Sequence, residues 1–508
     1  MPHDPPSPTL SSPPVLALAA LVMHAIPTPG YGIHRDTFLY YAMGDHLNLL
    51  RMQFPPFIAI AARATKAVFG ASTLGARVLP ALAHAAMVLI TIALARRLGG
   101  GWRAQWLAGL TALLGPLFVR TGLLLQPVIF DLVWGSLATL ALVHLLAGDD
   151  HRWWLLLGVA IGLGTLTKFS VAFWGLGLAV AVAVSSLRRD LATRWPWVAM
   201  AIAAVLGAPS ISGQIFWHWP FFAQMDALRQ AQLGRVTPSD FLASLALQVA
   251  GAAPLLVIGV VWLLRRGTFR AAGIGALTTI VALMAAHGKG YYAAPMLPLL
   301  VAAGSVGFER WSVRVRRPTL LFAAASSMIV VINAPLLPLG TPVLPPRTMA
   351  RYVAALGLRR AVTTNVGTRL PLPQDYADMI GWQEQVAAVA KVFHALPDSD
   401  QARAAIFGDN YGRAGALALY GPRFGLPYPI SRSGDFYAWG PGTRPGEPFI
   451  VVGSTKADLQ RFFGSVTLAA VFHHDLMVAE EREVGIYVCR APKAPLPELW
   501  RQLGVDWS

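Results

Sequence analysis

The stretch Tyr31-Gly-Ile-His-Arg-Asp-Thr-Phe-Leu-Tyr-Tyr-Ala-Met-Gly-Asp-His-Leu47, followed by Gln53-Phe-Pro-Pro-Phe57, is a polar island between long apolar runs. Arg35, Asp36, Asp45, His46 and Arg51 all fall within it or beside it. A chain that surrounds so many ionisable groups with apolar sequence keeps them outside a hydrocarbon layer, because charge within that layer is costly. The island therefore reads as an extramembrane loop between the first two membrane segments, and as the place where chemistry is concentrated.

Composition agrees. Of 508 residues, 55% are hydrophobic and 13% charged, where soluble domains carry about 25% charged residues; the mean hydropathy is +0.53. Residues 12–336 hold most of the apolar runs, which indicates a polytopic α-helical membrane protein followed by a soluble tail. The net charge of +16 would suggest nucleic acid in a soluble chain. Here the positive residues gather at the ends of apolar segments, so topology and anionic lipid account for them and no nucleic-acid partner is expected. The single cysteine, Cys489, excludes an internal disulfide or a cysteine metal site. The Pro-rich start, Met1 to Pro8, lacks the basic residues of a cleavable signal peptide, so the first apolar segment is expected to persist as a helix.

Eleven segments approach the roughly 20 apolar residues that span a bilayer. They lie near 12–29, 77–96, 104–124, 128–147, 153–167, 169–187, 196–213, 241–264, 271–287, 293–309 and 318–336. One set of connecting loops is rich in arginine (Arg96, Arg97, Arg103; Arg188, Arg189, Arg194; Arg310, Arg314, Arg316, Arg317) and is assigned to the cytoplasm. The first loop and the C-terminal tail then face outside. The first loop nonetheless holds Arg35, Arg51, Arg63, Lys66 and Arg77. These fit an anionic ligand, or amphipathic helices on the headgroups, such as one over Phe57–Phe69. The loop at 214–240 carries Phe216-Trp-His-Trp-Pro-Phe-Phe222, either an aromatic anchor or a substrate wall.

From about 340 the character changes. Gly340-Thr-Pro-Val-Leu-Pro-Pro346 is a linker. Strand-length runs at 404–408, 449–453, 466–472 and 484–488 alternate with helical stretches at 378–395, 411–420 and 456–463, as in a small α/β domain. The expected division is a membrane domain over 1–339, including the loop 30–76, and a periplasmic domain over 340–508.

Asp36 follows Arg35, whose guanidinium favours an ionised carboxylate. Such a carboxylate can take a proton from an acceptor hydroxyl or amine, or ligate a cation; the alternative is a structural pair capping a helix that begins at Thr37. Lys168, in Thr165-Leu-Thr-Lys-Phe-Ser170, and Lys289, in His287-Gly-Lys-Gly-Tyr-Tyr-Ala-Ala-Pro295, sit at outer helix ends. A compact ammonium there suits a phosphate, or snorkels to the interface. Tyr291 and Tyr292 are interface residues or ligand contacts. Asp131 opens the fourth segment near its outer edge. His34, His46, His218 and His287, with Asp36 and Asp45, lie on the outer side in no compact metal-ligand spacing.

Arg35-Asp36, then Tyr40, Ala42, Gly44, His46 and Leu47, then Gln53 and Pro55-Pro56, resemble the first periplasmic loop of bacterial family 39 glycosyltransferases. These are membrane enzymes of GT-C fold, related to protein O-mannosyltransferases and to the aminoarabinose transferase of lipid A. Lys168-Phe-Ser170, Trp217-His-Trp-Pro220 and Gly288-Lys-Gly-Tyr-Tyr-Ala-Ala-Pro295 match further stretches, and Asn410-Tyr-Gly-Arg-Ala-Gly-Ala-Leu417, Leu419-Tyr-Gly-Pro422, Ser433-Gly434 and Trp439-Gly440 resemble the periplasmic domain of one branch. The resemblance implies inverting transfer of a hexosyl or pentosyl group from a polyprenyl-phosphate donor to a lipid, glycan or protein, at the outer face of a bacterial inner membrane. It makes Asp36 the base or a metal-linked acid. For such an enzyme the donor phosphate is expected at some of Arg35, Arg51, Lys168 and Lys289, and the cavity wall at Tyr40, Gln53, Asp131, His218, Tyr291 and Tyr292. A divalent metal would draw on Asp36, Asp45 and His46; no other cofactor is implied. Three positions depart from the family pattern: Thr37 and Arg413 stand where glutamate is usual, and Phe54 where one branch has a basic residue. A lipid transporter or flippase, and a non-catalytic lipid-binding subunit, are the alternatives.

Overall fold

A computed structural model describes residues 13–26, 29–358, 362–364 and 367–506; the Pro-rich start of the chain lies outside them. All eleven apolar segments carry helix, but not eleven uninterrupted spans. Among the described residues, five helices are long and apolar enough to cross a membrane, or up to seven if each bent pair is one span: Thr73–Arg97, Pro127–Leu146, Trp195–Phe216, Gly290–Ser312 and Pro318–Gly340 stand alone. Pro14–Ala25, Trp153–Thr167 and Arg270–Ala285 are shorter.

Where the expected spans break, the local chemistry explains it. The segment near 104–124 divides into Trp102–Leu114 and Pro116–Thr121. Pro116 has no N–H to give back to the preceding turn, and it forces Gly115 to extended backbone at ψ 128°. The segment near 241–264 is two helical pieces, Pro238–Leu247 and Ala250–Arg265, that meet at 100°; Pro254 restarts the helix in its first turn. Val171–Ala183 and Ser186–Ala192 likewise turn by 92°.

Small residues let the apolar helices approach. Gly177 on Val171–Ala183 lies directly against the backbone of Gly275 on Arg270–Ala285. Gly259 and Gly304 make the same kind of contact with the Leu300 and Leu255 carbonyls, joining Ala253–Arg265 to Leu297–Ser312. Helices that find no hydrophobic gain against lipid associate through such packing. On the arginine-rich side, Arg97 makes a forked pair with Asp149 at 2.8 and 2.6 Å. Glu309 accepts from the Gly101 and Ala104 amides at the start of the helix Trp102–Leu114, a favourable place for a carboxylate.

All four expected strands are present: β1 (Ala405–Gly408), β2 (Phe449–Val452), β3 (Phe463–His473) and β4 (Glu483–Pro492). They form one sheet in the order β1-β2-β4-β3, with β1 parallel to β2 and the other pairs antiparallel. Phe407, Phe449, Val451, Phe463 and Trp500 pack on one face. Two of the three expected helices hold nearly to their limits, as Trp382–His394 and Tyr411–Tyr420; the third stops at Leu459, because β3 has begun by Phe463.

By contact the chain divides into two compact units, each drawn from three stretches. One comprises residues 1–26, 77–209 and 233–341; the other comprises 27–76, 210–232 and 342–508. The first extramembrane loop therefore packs with the C-terminal sheet region, a grouping that sequence order hides.

Gly177→Leu should lower the melting temperature of the detergent-solubilised protein by several degrees, because overpacking of this order costs about 1–3 kcal/mol. Gly175→Ala, on the same helix with nothing within 4 Å of the added carbon, should not lower it.

Candidate active site

The polar island folds as a helix, Arg35–Asp45, started by His34, whose Nδ1 accepts from the Asp36 amide at 3.1 Å. The cap is thus His34, and the helix begins two residues before Thr37 with Asp36 in its first turn. That position favours a carboxylate, since the exposed amides of a helix start are a partial positive charge.

Asp36 accepts a hydrogen bond from the Tyr411 hydroxyl through Oδ1, at 2.9 Å. The guanidinium of Arg35 lies 5.4 Å from the centre of the same tyrosine ring. It donates to Glu480 at 2.9 Å and pairs with Asp378 at 3.3 Å. Burial pushes the Asp378 carboxyl up to about 6 even with Arg35 opposing. Phe38, one turn on, meets the edges of Trp382 and Tyr420 at 5.6 Å each. Gly412 and Gly415 make this contact possible: a side-chain carbon on either would come within 2.7 Å of Arg35 or 2.6 Å of Phe38.

The other loop candidates are engaged separately. Lys66 donates to Asp45 at 2.6 Å. His46 points Nδ1 at the Ala42 carbonyl, 3.0 Å away, and stacks on Trp439 at 4.2 Å. Among the described residues no three acidic, histidine or cysteine side chains group as metal ligands, so Asp36, Asp45 and His46 do not form one cluster. The segment 50–53 runs along the end of the helix Trp195–Phe216: the Leu50, Arg51 and Gln53 carbonyls accept from Ser212, Trp217 and Gln214. Arg51 lies over the Phe216 ring at 4.7 Å. The buried Gln53 amide donates to Asp435 at 3.1 Å, and burial pushes the Asp435 carboxyl up to about 7. Tyr40 is half-buried, and His218 is exposed in a left-handed turn at φ 56°.

The remaining candidates belong to the other compact unit. Asp131 is buried in Pro127–Leu146 and accepts from Ser170 at 2.8 Å and Trp174 at 3.0 Å. Lys168, just past the end of Trp153–Thr167, points its ammonium over Tyr292 at 4.4 Å and Tyr291 at 5.1 Å. Such contacts favour a cation removed from water. Lys289 precedes the short helix Gly290–Met296. Burial, with the nearby charges of Arg120 and Lys168, lowers its ammonium to about 8. Three cations are thus near one another at the ends of apolar helices, an arrangement suited to a phosphate.

Four residues escaped the sequence reading as site residues. Arg120 was visible as the lone basic residue of its short loop. Tyr411 lies within the Asn410-Tyr-Gly stretch that carries the resemblance. Asp378 and Glu480 had no signal, because only folding brings them to Arg35.

Comparison with known proteins supports the resemblance. A family model described as dolichyl-phosphate-mannose-protein mannosyltransferase matches residues 53–212. The lipid A galacturonosyltransferase RgtD of Rhizobium johnstonii is 28% identical over 177 residues, 35% of this chain and 37% of that protein. The matched part therefore spans little more than a third of the curated relative. Crystal structures of ArnT from Cupriavidus metallidurans align over 93% of this chain bound to undecaprenyl phosphate, and over 94% in the apo state. Their TM-scores are 0.59 and 0.60, each at 15% identity and covering 97% of ArnT. The chain has the GT-C fold, a polytopic helical body with a small C-terminal sheet region, and is similar in sequence to glycosyltransferases over about a third of its length.

Asp435 offers a check on the packing beneath Gln53. Its pKa of about 7 in the folded chain exceeds the ordinary value of about 3.9. The stability it contributes is full below about pH 4 and is lost as the pH rises through about 7. The melting temperature of the wild type should therefore fall between pH 5 and pH 8 by more than that of Asp435→Asn, a difference of the order of 2 kcal/mol.

Proposed function

We propose that the chain is a membrane glycosyltransferase that moves a sugar from a polyprenyl-phosphate donor to an acceptor outside the bilayer, with inversion at the anomeric carbon. The observation that carries this reading is the cluster of Lys168, Lys289 and Arg120 beside Tyr291 and Tyr292, at the ends of apolar helices. A lipid phosphate needs such a place: cations at the membrane edge for the headgroup, apolar helices for the chain. The binding of undecaprenyl phosphate by ArnT, which shares the fold, and the lipid A acceptor in the name of RgtD, support a lipid-borne donor and a cell-envelope acceptor.

In this mechanism the acceptor oxygen or nitrogen attacks the anomeric carbon from the face opposite the phosphate. The bond from that carbon to the phosphate oxygen breaks, and the cations stabilise the charge that gathers on the leaving phosphate. Asp36 accepts the proton released by the acceptor. Lys168 and Lys289 are assigned to the donor phosphate, and Asp131, buried in Pro127–Leu146, to the wall of its cavity. The C-terminal sheet region would lie on the outer side of a bacterial inner membrane. A transporter would concentrate ionisable residues near the bilayer midplane on broken helices; here Asp131, Lys168 and Lys289 lie at helix ends.

Asp36→Asn should lower transfer by about 100-fold or more while donor binding and membrane insertion stay at wild-type levels. Near-normal turnover in that variant removes the assigned role. A strain lacking the protein should accumulate a polyprenyl-phosphate sugar in its lipid extract. Because Lys289 loses its charge near pH 8, retention of polyprenyl phosphate should weaken as the pH rises from 7 to 9. That dependence should be absent in Lys289→Met, as read by binding of radiolabelled lipid.

A further inference from the structure

The residues beyond 342 do more than cover the first loop. We propose that Tyr411 is the positioning residue of the Asp36 carboxylate, and that Arg35 holds this pair in place and does not bind the donor phosphate. The inference rests on the reading of Asp36 as the base.

Three observations converge on it. Tyr411 donates its hydroxyl to Asp36 Oδ1 at 2.9 Å. The tyrosine is half-buried, and burial together with the neighbouring Asp36 carboxylate raises its pKa well beyond the usual range. It therefore stays a hydrogen-bond donor at every working pH, and no proton passes through it. A base must hold its accepting oxygen in line with the acceptor to be effective, and a fixed donor on one oxygen sets the plane of the carboxylate.

The tyrosine is itself held. It is the first residue of the helix Tyr411–Tyr420, whose start is capped by Asn410 Oδ1 accepting from the Arg413 amide at 2.9 Å. Arg413 is buried and donates to Glu481 at 2.8 Å, to the Glu480 carbonyl at 2.7 Å and to Asp409. Asn410 adds a second hydrogen bond to Glu481 at 2.7 Å. Arg413 is thus matched by a buried glutamate from elsewhere in the chain, and it locks the helix that carries Tyr411.

Arg35 completes the arrangement. Its guanidinium covers the tyrosine ring and is turned to Glu480 and Asp378, two carboxylates from the C-terminal stretch. A guanidinium already facing carboxylates offers little to an anionic lipid.

The test uses the full-length protein in lipid nanodiscs, with a polyprenyl-phosphate sugar and the native envelope extract as acceptor. Tyr411→Phe keeps the ring and removes one hydroxyl. It should lower kcat about 10- to 100-fold with KM for the donor and the melting temperature unchanged. In an Asp36→Glu background, where the carboxylate has already left its register, the same change should cost less than about 3-fold. Wild-type kcat in Tyr411→Phe, or an equal loss in both backgrounds, overturns the inference and leaves the role of Asp36 standing. A wild-type chain without transfer activity overturns the reading of the site itself, and this inference with it.

Discussion

A guanidinium taken out of water must be given carboxylates, and in this protein that requirement joins parts of the chain that are far apart in sequence. Arg35 is only 14% exposed, and it faces Asp378 and Glu480. Removing one partner of a buried pair leaves an uncompensated charge, which is far more costly than the pair is stabilising. The geometry of the first loop is therefore conditional on residues contributed more than 300 positions later. The same logic repeats at Arg413, where Glu481 and Asp409 accept. Arg413 lies within the helix Tyr411–Tyr420 and Arg35 packs against its first turn, so the electrostatic requirements of two side chains specify where that helix sits.

The helical body answers a different constraint. Its backbone must satisfy its own hydrogen bonds where no water is present, and it does so with helices whose interruptions fall at Pro116, near Ala250 and after Ala183. Polar side chains are admitted where neighbours accept them. Asp131 is taken up by Ser170 and Trp174, and Lys168 by two tyrosine faces. These groups sit at helix ends.

Much of this was legible in the sequence, for identifiable reasons. Apolar runs announce helices by length alone, and all eleven carry helix. The four strands were visible because short apolar runs alternated with turn residues. What stayed hidden depended on three-dimensional pairing. The length of a run does not reveal a right-angle break such as that between Pro238–Leu247 and Ala250–Arg265. Arg35 could be read as a phosphate ligand because its charge was evident while its carboxylates were not. Asp36 and Lys168 were recognisable as ionisable groups in improbable surroundings; Tyr411, an ordinary aromatic in an ordinary helix, carried no such mark.

The grouping of residues 27–76 with residues 342–508 also orders events during synthesis. A ribosome releases the first loop long before the segment that supplies Asp378, Tyr411 and Glu480 exists. Until that segment is made, Arg35 and Phe38 have neither their counter-charges nor their aromatic neighbours. Contacts of such long sequence separation form late and slowly. The nascent loop thus spends the whole period of helix synthesis as an unfinished surface, and chain termination between the last apolar helix and Asp378 would release a product whose helices are complete and whose first loop has none of these partners.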